Sequence, residues 1–268
     1  MSRLIDHIWL WGQTPGSHHN HAGYNLPGVN RMTPREGCDY FGIRNICLVA
    51  CKAGPVPPFD QESALVSDLD NVVWSILGAG GLARNVDNFG DMDEVIRQAK
   101  MFPNVMAGVM DDFLFSEERR EKFNPARLRE MRKHLQQDAG RPLELWTVYY
   151  DRELHLDVRE YLELFDVITY WTWFGENIRT LRPTFDRIMA ENPGKRFIAG
   201  CYMWDYGNGR PLTNELMEMQ LEIYREYMHA GKLEGIILCS NCIADVGIPE
   251  VELTRKWLQL HGDEELPI

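Results

Sequence analysis

The chain has 268 residues, 28 Lys+Arg against 40 Asp+Glu, a net charge of −12 and 44% hydrophobic residues. Such a length fits one α/β barrel domain of about 250 residues with a large core, and the negative charge repels phosphate backbones and anionic lipid. No apolar run reaches the ~18 residues of a membrane span and the first residues lack a secretion-signal pattern, so the expectation is a cytoplasmic protein with neither nucleic acid nor membrane as partner.

In chain order, eight apolar runs end in aromatic, acidic or cysteine residues: Trp9-Leu10-Trp11-Gly12, Val49-Ala50-Cys51-Lys52, Trp74-Ser75-Ile76-Leu77-Gly78, Met110-Asp111-Asp112-Phe113, Tyr149-Tyr150-Asp151, Trp171-Thr172-Trp173, Tyr202-Met203-Trp204-Asp205-Tyr206 and Cys239-Ser240-Asn241-Cys242. Their spacing averages about 33 residues, the length of one strand, one helix and two loops in a repeating βα unit. Between the runs the apolar spacing becomes helical, as in 93–100 and 214–229. Helix starts are marked by Thr33-Pro34, Asn124-Pro125 and Pro249, where a capping side chain or a proline in the first turn suits the free amides. The fold class predicted is α/β, a (β/α)8 TIM barrel, as a single domain over 1–268. The competing architecture is an open doubly wound sheet with a nucleotide site. Its phosphate turn would be Gly78-Ala79-Gly80-Gly81, which lacks the G-x-G-x-x-G spacing.

In a closed barrel all eight carboxyl ends meet on one face, and the chemistry belongs there. Two long loops, 13–30 after strand one and 78–90 after strand three, fall on that face. The acidic pair Asp111-Asp112 is the leading catalytic candidate because packing gives no reason for two carboxyls at a strand end. Alternation along a strand lets only one face the axis, and Asp112, nearer the mouth, is favoured. Asp205, bracketed by aromatics, and Asp151 are the next candidates; Arg152 and Glu153 beside Asp151 also suit a charged loop. Two carboxyls across a cleft are what glycoside hydrolysis needs, one as acid and one as nucleophile or base.

The aromatic residues Trp9, Trp11, Tyr149, Tyr150, Trp171, Trp173, Tyr202, Trp204 and Tyr206 supply flat faces with polar rims, suited to stacking on a sugar. About half of such rings are expected to pack the core. Trp11, Tyr150, Trp171, Trp173, Tyr202 and Trp204, with Lys52 and Asn241, are the candidate substrate contacts. Lys52 could alternatively form a Schiff base. His18-His19-Asn20-His21 reads as a solvated loop or a substrate contact rather than a metal cluster. Cys239 and Cys242 have C-x-x-C spacing without the second half of a zinc site, and with Cys47 and Cys201 they are placed inside strands as small hydrophobes. No metal or cofactor is expected.

Through Gly108-Val109-Met110-Asp111-Asp112-Phe113, Gly200-Cys201-Tyr202-Met203-Trp204-Asp205-Tyr206-Gly207 and Val72-Val73-Trp74-Ser75-Ile76, the chain resembles barrel-type glycoside hydrolases. In the largest clan of these an acid/base residue ends strand four and a nucleophile ends strand seven. The resemblance implies Asp112 as general acid and Asp205 as opposing carboxylate, where that clan carries Asn-Glu and Glu. Three functions follow: a glycosidase acting on a small-molecule saccharide, a lyase or isomerase using Lys52 with Asp111 or Asp151, and a barrel that binds carbohydrate without turnover.

Overall fold

The structure is a computed structural model that describes residues 2–85 and 89–267. Eight parallel strands form a closed barrel: β1 (Ile8–Gly12), β2 (Asn45–Leu48), β3 (Asn71–Leu77), β4 (Val105–Met110), β5 (Glu144–Tyr150), β6 (Val167–Trp171), β7 (Arg196–Tyr202) and β8 (Gly235–Cys239). Closure is made by β8 on β1, with Ile8 opposite Ile236 and Trp11 opposite Cys239. A closed sheet has no switch point, so the doubly wound alternative is excluded.

One helix follows each strand: α1 (Pro34–Phe41), α2 (Asp60–Leu65), α3 (Met92–Met101), α4 (Pro125–Gln137), α5 (Arg159–Leu162), α6 (Leu181–Glu191), α7 (Asn214–His229) and α8 (Pro249–His261). The caps read from sequence are present. Thr33 accepts the Glu36 amide while Glu36 reaches back to the Thr33 amide, and Asn124 accepts the Arg127 amide. Two additional short helices, Glu117–Lys122 and Asn241–Ala244, lie in the loops after β4 and β8. The second corrects the expectation for Cys242: β8 ends at Cys239, Ser240 caps the following turn, and Cys242 lies in that turn.

The barrel interior holds several indoles. Trp9 on β1 meets Trp146 on β5 at 5.1 Å, and Trp11 meets Trp171 on β6 at 5.2 Å, both edge-on. These contacts cross the barrel. A Cβ at Gly200 would lie 1.9 Å from the Trp171 ring, so glycine on β7 is what admits that indole. Trp74 faces outward, stacked on Phe59 at 4.4 Å, with its indole donating to Ser63 in α2. On the amino-end side, Ser2–Arg3 pairs antiparallel with Glu265–Leu266. No helix among the described residues is long and apolar enough to cross a membrane.

Candidate active site

A cavity of about 500 Å³ opens where the eight carboxyl ends converge, a volume suited to a small ligand. Every strand end contributes to its wall, from Gln13 after β1 through Lys52, Gly80, Asp111, Arg152, Trp173 and Tyr202 to Cys239.

Asp111 and Asp112 both reach the cavity, although side-chain alternation predicts only one. Strand β4 stops at Met110, and Asp112 has a left-handed backbone with φ of 47°. That turn brings its carboxyl round to the same space. Asp112 is then fixed from both sides: Oδ2 accepts the Gly80 amide at 2.8 Å, and Oδ1 pairs with Arg152 Nη2 at 3.2 Å. Arg119, from the short helix after β4, spans the Asp112 and Gly80 carbonyls and locks the two loops together.

Asp111 is 3% exposed. Its Oδ1 accepts the Tyr150 hydroxyl at 3.2 Å and the Asp112 amide at 2.8 Å. Burial, and then the adjacent Asp112 charge, push its pKa well above the usual carboxylate range, because both disfavour a second anion. The surroundings of Asp111 therefore favour its protonated form.

Arg152 is held as firmly as the carboxylate it faces. Its guanidinium lies 4.5 Å from the ring centres of both Tyr150 and Trp173, and 5.4 Å from that of Phe115. Such stacking suits a planar, weakly hydrated cation, and it surrounds the buried Nε, which has no hydrogen-bond partner. Behind Tyr150, Glu153 is fully buried and accepts the Tyr150 amide at 2.9 Å; burial pushes its carboxyl up to about 7.

The opposite wall is aromatic. Trp11, Tyr202 and Tyr206 stand there with Cys239, and Tyr24 and His18 arrive from the long loop after β1. His18 bridges Tyr206 Oη at 2.8 Å and Gln13 Oε1 at 2.6 Å. Burial, with the His19 and His21 charges, holds its pKa down to about 3. In the neutral ring Nε2–H donates to the Gln13 oxygen, leaving Nδ1 to accept the Tyr206 hydroxyl.

Of the strand-end candidates Asp112, Asp151, Trp173, Asp205 and Asn241, Asp112 and Trp173 line this cavity and the other three do not. Asp151 accepts the Arg152 and Trp173 amides at 2.8 and 2.9 Å and the Asn177 side chain at 2.7 Å. Asp205 accepts the Gly175 and Asn208 amides at 3.1 and 3.2 Å and Arg210 Nε at 3.1 Å, with its side chain 2% exposed. Both carboxyls shape loop backbone outside the cavity. Asn241 joins Gln13 to Met32, the two ends of the long loop, and the Trp204 indole donates to the Tyr24 carbonyl at its middle. Trp171 lies below the cavity among Trp11 and Tyr202. Of the remaining candidates, Trp11, Lys52, Tyr150 and Tyr202 line the wall. Lys52 is exposed.

Arg152, Gln13, Tyr24 and Gly80 are cavity groups that sequence reasoning did not single out as contacts. An arginine two residues after a strand-end tyrosine was the available signal for the first. No group of three His, Cys, Asp or Glu among the described residues could hold a metal ion.

No family model matches the chain, and no curated protein matches it. Solved structures do. A protein from Bacteroides thetaiotaomicron provisionally assigned as an α-L-fucosidase aligns with a TM-score of 0.60 at 9% identity, over 98% of each chain. A family 18 N-acetylglucosaminidase from Paenibacillus barengoltzii aligns with 0.55 at 10% identity, over 92% of this chain and 99% of the other. A family GH113 β-1,4-mannanase aligns with 0.53 at 15% identity, over 97% and 99%. What the chain shares with these glycoside hydrolases is the barrel. At such identities the likeness establishes the fold, and the chemistry has to be argued from the cavity.

Proposed function

We propose that the protein is a glycoside hydrolase whose proton donor is Asp111. The observation that carries this is the pair itself: a buried carboxyl whose surroundings favour its protonated form, beside a second carboxyl paired with Arg152, in an aromatic cavity at the carboxyl ends of the barrel. A general acid for a glycosidic oxygen must hold its proton near neutral pH, and an ordinary aspartate, titrating near 4, does not. Asp111 meets that requirement through burial and its charged neighbour. Asp112, favoured as the acid from sequence, instead has the Arg152 charge and the Gly80 amide against its carboxylate, partners that suit a fixed anion. The glycosidase neighbours support the reaction class. Trp173, Tyr202 and Lys52 are the substrate contacts in this proposal, the rings stacking on the sugar and Lys52 donating to its hydroxyls.

A lysine-based lyase or isomerase is less well supported, since an exposed Lys52 lacks the apolar burial that makes such an amine nucleophilic. The deciding experiment compares leaving groups. Asp111→Asn should reduce turnover of alkyl glycosides by roughly 10²–10⁴-fold and of activated aryl glycosides far less, because the latter need little protonation. An equal loss on both substrate types would remove Asp111 from the acid role. The same selective loss in Asp112→Asn would hand that role to its neighbour.

A further inference from the structure

The two acids of the cavity stand on one wall. They are consecutive residues, and Asp112 is tied back to Gly80 after β3 and forward to Arg152 after β5. Hydrolysis by two protein carboxylates needs the sugar between them, about 5 to 9.5 Å apart depending on mechanism, so that one acts on the leaving oxygen and the other on the opposite face of the anomeric carbon. Across this cavity, from β1, β7 and β8, stand Trp11, Tyr202, Tyr206 and Cys239. Among the described residues no acid joins them. Asp151 and Asp205 bind loop backbone, and Glu153 is buried behind Tyr150.

The groups that do stand there are poor substitutes for a carboxylate. Burial keeps the Tyr202 and Tyr206 hydroxyls and the Cys239 thiol well above their ordinary pKa values, so each is neutral, and it is the thiolate that attacks. His18 is too weak a base to activate water, and both its ring nitrogens are already engaged.

Resting on the glycosidase reading above, we propose that the nucleophile belongs to the substrate: the cavity takes a 2-acetamido-2-deoxy sugar whose acetamido oxygen attacks its own anomeric carbon. In the first step a bond forms between that oxygen and C1 while the bond from C1 to the leaving oxygen breaks. The Asp111 proton passes to the leaving oxygen. The Asp112 carboxylate accepts the acetamido N–H and faces the positive charge that spreads over the resulting oxazolinium ring. In the second step water adds to C1, its proton returns to Asp111, and the ring opens to restore the acetamido group. Two displacements at C1 give retained configuration.

The test uses aryl glycosides of gluco and galacto configuration, both anomers, in 2-acetamido and 2-hydroxy forms. A preference of at least ~10³-fold in kcat/KM for a 2-acetamido member is expected, the scale of an intramolecular nucleophile. On that member, successive fluorination of the acetyl group should lower kcat/KM stepwise, because each fluorine weakens the attacking oxygen. Asp112→Asn should lower turnover alike for good and poor leaving groups, unlike Asp111→Asn. Comparable or faster hydrolysis of 2-hydroxy glycosides, or a flat response to fluorination, would overturn the proposal and leave the glycosidase reading in place. If no member of either class turned over, both would fall.

Discussion

The Asp111 carboxyl receives the Tyr150 hydroxyl and the Asp112 amide on one oxygen, in a site only 3% exposed. Two hydrogen bonds favour its anion, but burial and the neighbouring charge outweigh them. An unfolded aspartate titrates near 4. Because the folded value is raised, the folded protein keeps a proton over a pH range where the unfolded chain has lost it, and stability falls as pH rises through that range. Asparagine preserves the acceptor oxygen without the ionisation. Asp111→Asn should therefore melt at a higher temperature than the parent at pH 8, with a gap that narrows toward pH 4; calorimetry showing a pH-independent gap would contradict this. Arg152 has the opposite balance. Removing it leaves the Asp112 carboxylate, 23% exposed, without its countercharge. Arg152→Met should cost on the order of 1–3 kcal/mol, and adding Asp112→Asn should recover part of that loss in urea unfolding, since the two changes remove one interaction.

The loop from Gln13 to Met32 is the element that places His18 and Tyr24 over the cavity, and it is held by side chains that a sequence alone assigns to the site. Asn241 bonds to both its ends, Asn30 reaches the Asn241 carbonyl and Asp245, and Asp245 accepts the Arg31 and Met32 amides. Asn241→Ala should leave the buried Gln13 amide and carbonyl without these partners. We expect cleavage by protease within 13–32 to accelerate, and KM to rise more than kcat falls, because the loop contributes cavity wall and no acid. A change confined to kcat would place Asn241 in the chemistry instead. The strand-end polar residues were legible as a set, but their division was not. Asp112 and Asp205 look alike in sequence; which faces the ligand depends on which loop returns beside it, and the 173–175 segment returns to Asp205. The left-handed turn at Asp112 defeated the alternation rule in the same way, since it depends on Gly80 and Arg119 from elsewhere in the chain.

The barrel itself was legible because strand and helix periods alternate locally, whereas the ties that fasten its amino-end side depend on residues far apart in sequence. Glu264, just before the terminal Glu265–Leu266 strand, accepts Arg225 at 2.7 and 2.8 Å and bonds to His229 and His261 at 2.7 Å each. It thus joins α7, α8 and the segment that pairs with Ser2–Arg3. The Arg225 hydrogen bonds, and then those of His261 and His229, hold its carboxyl down to about 2, from 4.5. With the folded value depressed, its stabilisation is complete above about 4.5 and disappears as pH falls toward 2. This slope is opposite to that of Asp111, whose raised pKa lowers stability as pH rises above the unfolded value near 4. The Glu264 side chain is 25% exposed, so solvent screening reduces the effect to roughly 1–2 kcal/mol. Glu264→Gln should lower the free energy of urea unfolding by that amount at pH 7, and the difference should shrink steadily between pH 4.5 and 3 while kcat/KM at pH 7 stays unchanged. A difference that persisted at pH 3 would mean that packing, rather than the charge, fastens this side of the barrel.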